Sequence, residues 1–209
     1  MGPADRDAFE AVFARAARLG FVGEASVDAH LVHSEAFGAA VEAACGGPPA
    51  SFLDLGSGAG IPGLVLAARW PGSRAVLLDA HARRCEALVS GAADLGLGNV
   101  EVMQARAENL AREPGWREHF VAVTARAFGR PAVTAECASG FLEVGGVLVV
   151  SEPPDAPDDR WPREGLATLA LAAEAVRHEP VALRVLRKTG PTPDAVPRGE
   201  GRPQKRPRW

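Results

Sequence analysis

An α/β fold with a doubly wound, mostly parallel sheet and an antiparallel hairpin at one edge is predicted by three observations. From Ala50 onward, short apolar runs alternate with stretches of helical periodicity, the pattern of βαβ units. A glycine-rich turn separates the first of these runs from the helix that follows it. The last two apolar runs, AAEAVRH and VALRVLRK, are separated by Glu179-Pro180, which reads as a hairpin turn.

Residues 1–49 read as a helical N-terminal extension. Phe9, Val12, Phe13 and Ala16 form an amphipathic stripe behind Asp5, a candidate N-cap, in a helix ending at Gly20. A second helix begins after Ser26 and runs to about Cys45, where GGPP stops it. The sheet domain spans residues 50–189. Its strands are SFLDL, RAVLLD at 74–79, VEVMQA at 100–105, FVAVTA at 120–125 and GVLVVSE at 146–152. Helices are expected from near Ile61, at 82–95, 107–113, 131–142 and 162–168, with Pro62 at the first helical position, where its missing N–H costs nothing. Residues 153–160, rich in proline and aspartate, read as a loop. Residues 190–209 are a basic tail whose proline and glycine density predicts a solvated segment rather than a packed helix.

Hydrophobic residues make up 47 % of the 209-residue chain and charged residues 23 %, the balance of an ordinary globular protein. No apolar run approaches the roughly 20 residues that span a bilayer, and MGPADRDAFE carries no signal pattern. A cytoplasmic location with no membrane partner is expected. Cys45, Cys85 and Cys137 are odd in number and widely spaced, so they read as buried thiols and supply neither a disulfide framework nor a metal site. The net charge of -3 is unevenly spread: the last twenty residues carry +3, and any electropositive footprint belongs to them.

The stretch FLDLGSGAGIPG, residues 52–63, places Gly56, Gly58, Gly60 and Gly63 between a strand and a helix start. Glycines let backbone approach a ligand, and a helix start offers unpaired N–H groups. The segment from Gly58 to Gly63 fits the dinucleotide fingerprint G-x-G-x-x-G, a weak signal by itself. The longer segment from Asp54 to Gly60 fits the D-x-G-x-G-x-G pattern of Rossmann-like class I S-adenosylmethionine methyltransferases. The acid separates the two readings. A carboxylate at the loop mouth repels a pyrophosphate and attracts the sulfonium and ammonium of S-adenosylmethionine. Asp79, closing the second strand, suits the two ribose hydroxyls in either reading. Ala107 and Glu108, beyond the third strand, occupy the usual place of adenine contacts.

Further segments resemble one family in particular. FLDLGSGAGIPGLVLA, LLDAHARRCEAL, ARAENL, ARAFGRPAV and GGVLVV together look like the glucose-inhibited division protein B family, the small-subunit (16S) ribosomal RNA guanine-N7 methyltransferases. Ala125-Arg126-Ala127-Phe128 matches the family's Ser-Arg-Ala-Phe, and Pro197-Arg198 with Gly201-Arg202-Pro203-Gln204-Lys205-Arg206-Pro207 resembles its basic ending. The resemblance runs from about Val27 to the C-terminus. It implies S-adenosylmethionine as cofactor, ribosomal RNA or the small ribosomal subunit as partner, and cofactor contacts at Gly56, Ile61, Ala107, Glu108 and Arg126.

The chain departs from that pattern in three places. An aromatic-Asn-Leu-Thr stretch near the start is missing, the family's histidine followed by Asp-Ser is echoed only by His30 and His33-Ser34, and Ser151-Glu152 stands where a Lys-Gly pair is usual. His30 and His33 read as surface or packing residues. Phe128 and Trp209 offer aromatic faces to a base. No catalytic base is assigned, since guanine N7 presents a free lone pair. Two other readings share the fold: a small-molecule methyltransferase, and a non-catalytic module that binds cofactor and RNA.

Overall fold

The computed structural model describes residues 3–23, 25–177 and 180–209. Helices α1 (Pro3–Arg18) and α2 (Val27–Cys45) precede β1 (Ser51–Leu55), α3 (Gly63–Arg69), β2 (Arg74–Asp79), α4 (Ala82–Asp94), β3 (Val100–Gln104), α5 (Ala107–Leu110) and β4 (Phe120–Ala125). Then come α6 (Pro131–Ser139), β5 (Leu142–Ser151), a 3-10 turn at Asp158–Arg160, α7 (Arg163–Ala167), β6 (Leu171–Arg177), β7 (Leu183–Lys188) and α8 (Arg202–Lys205). The sheet order is β3-β2-β1-β4-β5-β7-β6. The first five strands pair in parallel, and β7 is antiparallel to both β5 and β6. This is the expected doubly wound sheet with its edge hairpin; His178 and Glu179 at the expected turn lie outside the described residues.

Strand periodicity sorts the core onto two faces. Leu53 and Leu55 of β1 pack with Val76, Leu78, Val123 and Leu148 against α5 and α6. Phe52, one residue out of phase, packs with Ala122, Val147 and Val149 against α2 and α3. The α1 stripe is buried as its spacing predicts, with Phe9, Val12, Phe13 and Ala16 at 2–5 % exposure. The helix starts at Pro3, so Asp5 lies inside it and does not cap it. Ser26 does cap α2, its Oγ accepting from Ala29 N–H at 3.2 Å, and Gly46 ends that helix at φ 79°.

Boundaries shift where the chain is irregular. Pro62 precedes α3 instead of opening it, its carbonyl accepting the N–H of Leu66 at 3.0 Å. β5 starts at Leu142, four residues before the apolar run, because it continues through a register shift against β4 between Phe120 and Ala122. Gly146 lies in that irregularity, where a Cβ would meet Val121 O at 2.9 Å.

The C-terminal segment departs most from expectation. Residues 190–209 are docked as a strap and include the short helix α8. Glu136 on α6, 0 % exposed, accepts the backbone N–H of Arg198 at 2.9 Å and its guanidinium at 2.8 and 2.6 Å, and pairs with Arg208 at 3.3 Å. Arg117 donates to the carbonyls of Thr192, Pro193 and Val196. Lys188, its side chain 0 % exposed, bonds Glu118, Thr192 and the carbonyls of Ser139 and Leu142. The tail's basic residues divide accordingly: Arg198 and Arg208 share Glu136, while Arg202, Lys205 and Arg206 stay exposed.

Candidate functional site

The glycine turn lies at the carboxyl end of β1, at the crevice where the sheet order reverses between β1 and β4, the ligand-binding position of open α/β sheets. Its glycines have different duties. Gly56 (φ 73°) lies under the Phe128 ring, where a Cβ would stand 2.6 Å from a ring carbon. A Cβ on Gly60 (φ 83°) would meet Leu64 at 2.4 Å, and one on Gly63 would meet Leu77 and Asp54 at 2.5 and 2.6 Å. Gly58 (φ 54°) faces open space, with only Gly56 O at 3.7 Å. Gly60 and Gly63 therefore serve packing, and Gly58 leaves room for a ligand.

Two adjoining cavities open over this turn. One, of 350 Å³, is lined by Gly56, Ser57, Gly58, Ala59 and Ile61 of the loop, by Arg84 and Arg126, and by Phe21–Gly23 between α1 and α2. The other, of 240 Å³, is lined by Gly56, Asp79, Arg84, Ala107, Glu108, Phe128 and Gln204 among others. Gly56, Arg84 and Ala127 border both, and their joint size suits one small ligand, for which sites of about 300–1,000 Å³ are usual. A larger cavity of 830 Å³ between α1, α2, α3 and α4 is lined by none of the cofactor residues expected from the sequence.

Asp79, at the end of β2, braces the loop. Its Oδ2 accepts Gly58 N–H at 3.0 Å and its Oδ1 accepts His81 N–H at 2.9 Å. His81 Nδ1 stands a further 3.1 Å from Oδ1 and the Arg84 guanidinium 3.6 Å from Oδ2, so Oδ2 is the oxygen with a lone pair left for a ligand hydroxyl. Ala127 holds φ 55°, an uncommon conformation for a residue with a Cβ. It follows Arg126 at the end of β4 and precedes the Phe128 ring over Gly56. Arg126 is half-buried and makes no hydrogen bond among the described residues. Burial works against its charge, and Asp54 is the acid that favours it.

Asp54 is not at the loop mouth. It is 1 % exposed and borders neither cavity. Alternation along β1 puts it on the same face as Phe52, behind the loop. Its Oδ1 accepts from Thr124 Oγ1 at 2.8 Å, while Oδ2 has no hydrogen-bond partner. Burial pushes its carboxyl up to about 6, against the easing effect of Thr124, Ser57, the Gly63 backbone and the charge of Arg126. It makes no contact with the space over the loop. Gly60 likewise borders neither cavity.

Other sequence candidates resolve by geometry. His30 is 3 % exposed and edge-on to Phe13, and His33 lies against Phe37 with its imidazole held down at about 4 by burial and the charges of Arg126 and His30. Both pack. Trp209 covers Gly165 and donates Nε1–H to Arg160 O at 3.0 Å, so its ring is taken by the fold. Glu152, in place of the usual Lys-Gly, pairs with Arg160 and accepts Trp161 Nε1–H at 2.7 Å, so its charge is balanced internally. Arg84 and Gln204 also line the site; both lie in segments that carry the resemblance, and neither is singled out there as a cofactor residue. Among the described residues no cluster of three or more His, Cys, Asp or Glu side chains is placed to hold a metal, and no helix is long and apolar enough to cross a membrane.

Comparison with known proteins supplies a frame for this site. The family model described as GidB, rRNA small subunit methyltransferase G, matches residues 27–153. A ribosomal RNA small subunit methyltransferase G of Thermotoga sp. (strain RQ2) is 38 % identical over 164 residues, covering 75 % of this chain and 71 % of the relative. One from Roseiflexus castenholzii is 35 % identical over 170 residues, covering 78 % and 72 %. Among solved structures, an O-methyltransferase from Bacillus cereus in complex with SAH has a TM-score of 0.60 at 16 % identity, covering 87 % of this chain and 91 % of that one. A 16S rRNA (adenine(1408)-N(1))-methyltransferase with SAM from Catenulisporales acidiphilia has a TM-score of 0.57 at 16 % identity, covering 74 % and 92 %. At such identity the structural likeness speaks for the fold.

Proposed function

Since the chain belongs to the small-subunit ribosomal RNA methyltransferase G family, we propose that it transfers a methyl group from S-adenosylmethionine to guanine N7 of small-subunit ribosomal RNA. The observation that carries this reading is the two-chambered cavity over the glycine turn, whose donor set suits that cofactor. Ala107 and Phe128 offer an apolar slot with the Glu108 carboxylate at its edge, for the purine. Asp79 offers Oδ2 to a ribose hydroxyl. Gly56, Gly58 and Ile61 border the space for the amino-acid end, and Arg126, which lines the same chamber, suits its carboxylate.

When bound, the cofactor supplies an electrophilic methyl on sulfur. The chain's task is then to align that methyl with an incoming lone pair and to exclude water, which is a matter of proximity. Guanine N7 carries no proton, so no residue need remove one. RNA docking falls to the exposed cations at the rim: Arg106, which borders the smaller cavity, and Arg202, Lys205 and Arg206 on and just after α8 beside it. In this reading 50–189 is the methyltransferase domain, with 1–49 and the strap as its additions.

Small ribosomal subunits from a strain lacking the gene, incubated with the purified chain and S-adenosylmethionine, test the proposal. N7-methylguanine is expected at a single site of the small-subunit RNA, read by mass mapping. An unchanged guanine mass pattern, with turnover on small molecules instead, refutes it.

A further inference from the structure

One residue bordering the smaller chamber comes from a segment far away in sequence. Gln204 on α8 borders the 240 Å³ chamber beside Glu108, Ala107 and Phe128, and its carboxamide has no hydrogen-bond partner among the described residues. Glu108, 1 % exposed, accepts the backbone N–H of Gly201 at 2.8 Å. Gly201 takes φ 71° immediately before α8, the left-handed conformation that glycine adopts without strain.

The segment is held from both sides of this latch. Arg198 is clamped on the buried Glu136. Glu200 accepts from Asn109 Nδ2 at 2.7 Å and pairs with Arg106 at 3.6 Å, tying it to the rim of α5. Pro203 is buried. The strap is thus fixed to the residues that flank the chamber, and Gln204 is the side chain it delivers there.

We infer that residues 198–206 form a wall of the cofactor site, latched by Gly201 N–H on Glu108, and that Gln204 contacts the adenine edge as a second reader. The inference rests on the cavity being the S-adenosylmethionine site. A carboxylate such as Glu108 only accepts hydrogen bonds. It answers the 6-amino group of adenine and offers nothing to the ring nitrogens. Glutamine carries a donor and an acceptor side by side, the pair that meets adenine at its amino group and adjacent ring nitrogen. Glu108 then has two tasks, holding the strap with one oxygen and facing the purine with the other.

Hydrogen exchange of the full chain, read by mass spectrometry with and without S-adenosylhomocysteine, is the test. Slowed exchange is expected both in the glycine turn, 56–61, and in the strap, 199–206, because a ligand that binds the docked state suppresses its opening. Gln204→Ala, at an exposed position, is expected to keep the fold and to weaken S-adenosylhomocysteine binding about five- to a hundredfold by calorimetry, the loss of two neutral hydrogen bonds. A slowed turn with an unchanged strap overturns the strap's role and leaves the cofactor reading standing. Unchanged affinity in Gln204→Ala overturns the assignment of that residue. No slowing in either segment overturns both the inference and the cofactor reading beneath it.

Discussion

Replacing Asp54 by asparagine isolates the cost of a buried charge. In the folded chain the carboxyl is raised from 3.8 to about 6. Between those values the folded form holds a proton that the unfolded form has released, so stability falls as pH rises through this window. A shift of about two units corresponds to ~3 kcal/mol, fully absent below pH 3.8 and fully expressed above about pH 6. The asparagine side chain cannot ionise and keeps an oxygen for Thr124 Oγ1–H. Urea denaturation of both proteins at pH 4 and pH 7.5 measures the effect as a difference of differences, which cancels Glu118 and Glu136, carboxyls that shift the opposite way. The variant should gain ~2.4 kcal/mol on the wild type between the two pH values, since a little of the penalty is already present at pH 4. A stability difference that does not change with pH refutes the claim that Asp54 is charged at neutral pH in a site that resists it. The same group predicts a binding signature. A cationic ligand above the loop favours the carboxylate, so binding near pH 6 should release a fraction of a proton in the wild type and none in Asp54→Asn, read by titration calorimetry in buffers of different ionisation enthalpy.

Three other outcomes follow from the site and the strap. Gly58→Val should abolish S-adenosylmethionine binding while costing only the strain of a positive φ, about 1–2 kcal/mol, whereas Gly60→Ala, with its Cβ 2.4 Å from Leu64, should lower the unfolding midpoint first; calorimetry and thermal unfolding separate the two. Lys188→Met takes the donor from the Leu142 carbonyl and leaves Glu118 and the Ser139 carbonyl with Thr192 alone, and should cost about 1–3 kcal/mol in urea denaturation. Arg126→Ala should lower cofactor affinity by about tenfold or more through loss of a charge-assisted contact, while its stability changes only through the lost charge that eases Asp54, a change that disappears in the Asp54→Asn background.

How much of this was legible in the sequence depended on the range of the interaction. The α1 stripe, the Ser26 and Gly46 caps and the apolar strand runs are local patterns, and each formed the element it predicts. The glycine turn was equally plain. The placement of Asp54 was readable too: Leu53 and Leu55 face one helical layer, so a period of two sends Asp54 to the other, beneath the loop. Its motif drew attention away from its phase. Long-range partners left no such trace. Gly201 meets Glu108 across 93 residues and Arg198 meets Glu136 across 62, and no spacing rule links them. The proline and glycine that suggest a solvated tail instead shape a strap that fits irregularly over α5 and α6. Glu152 shows the reverse error of reading charge without partners, since Arg160 and Trp161 absorb it.

The order of strands at the sheet edge leaves β5 without its outer neighbour until β7 has been made. β6 is synthesised before β7 but lies outside it, so β6 has no neighbour and β5 keeps a bare edge until residues 183–188 emerge. That edge is Val147, Leu148, Val149 and Val150, an unpaired apolar strand of the kind that recruits other chains. β7 ends at Lys188, whose ammonium then joins Glu118 to Thr192 and starts the strap. A nascent chain halted before Leu183 therefore exposes an adhesive strand, and the arrival of β7 covers it.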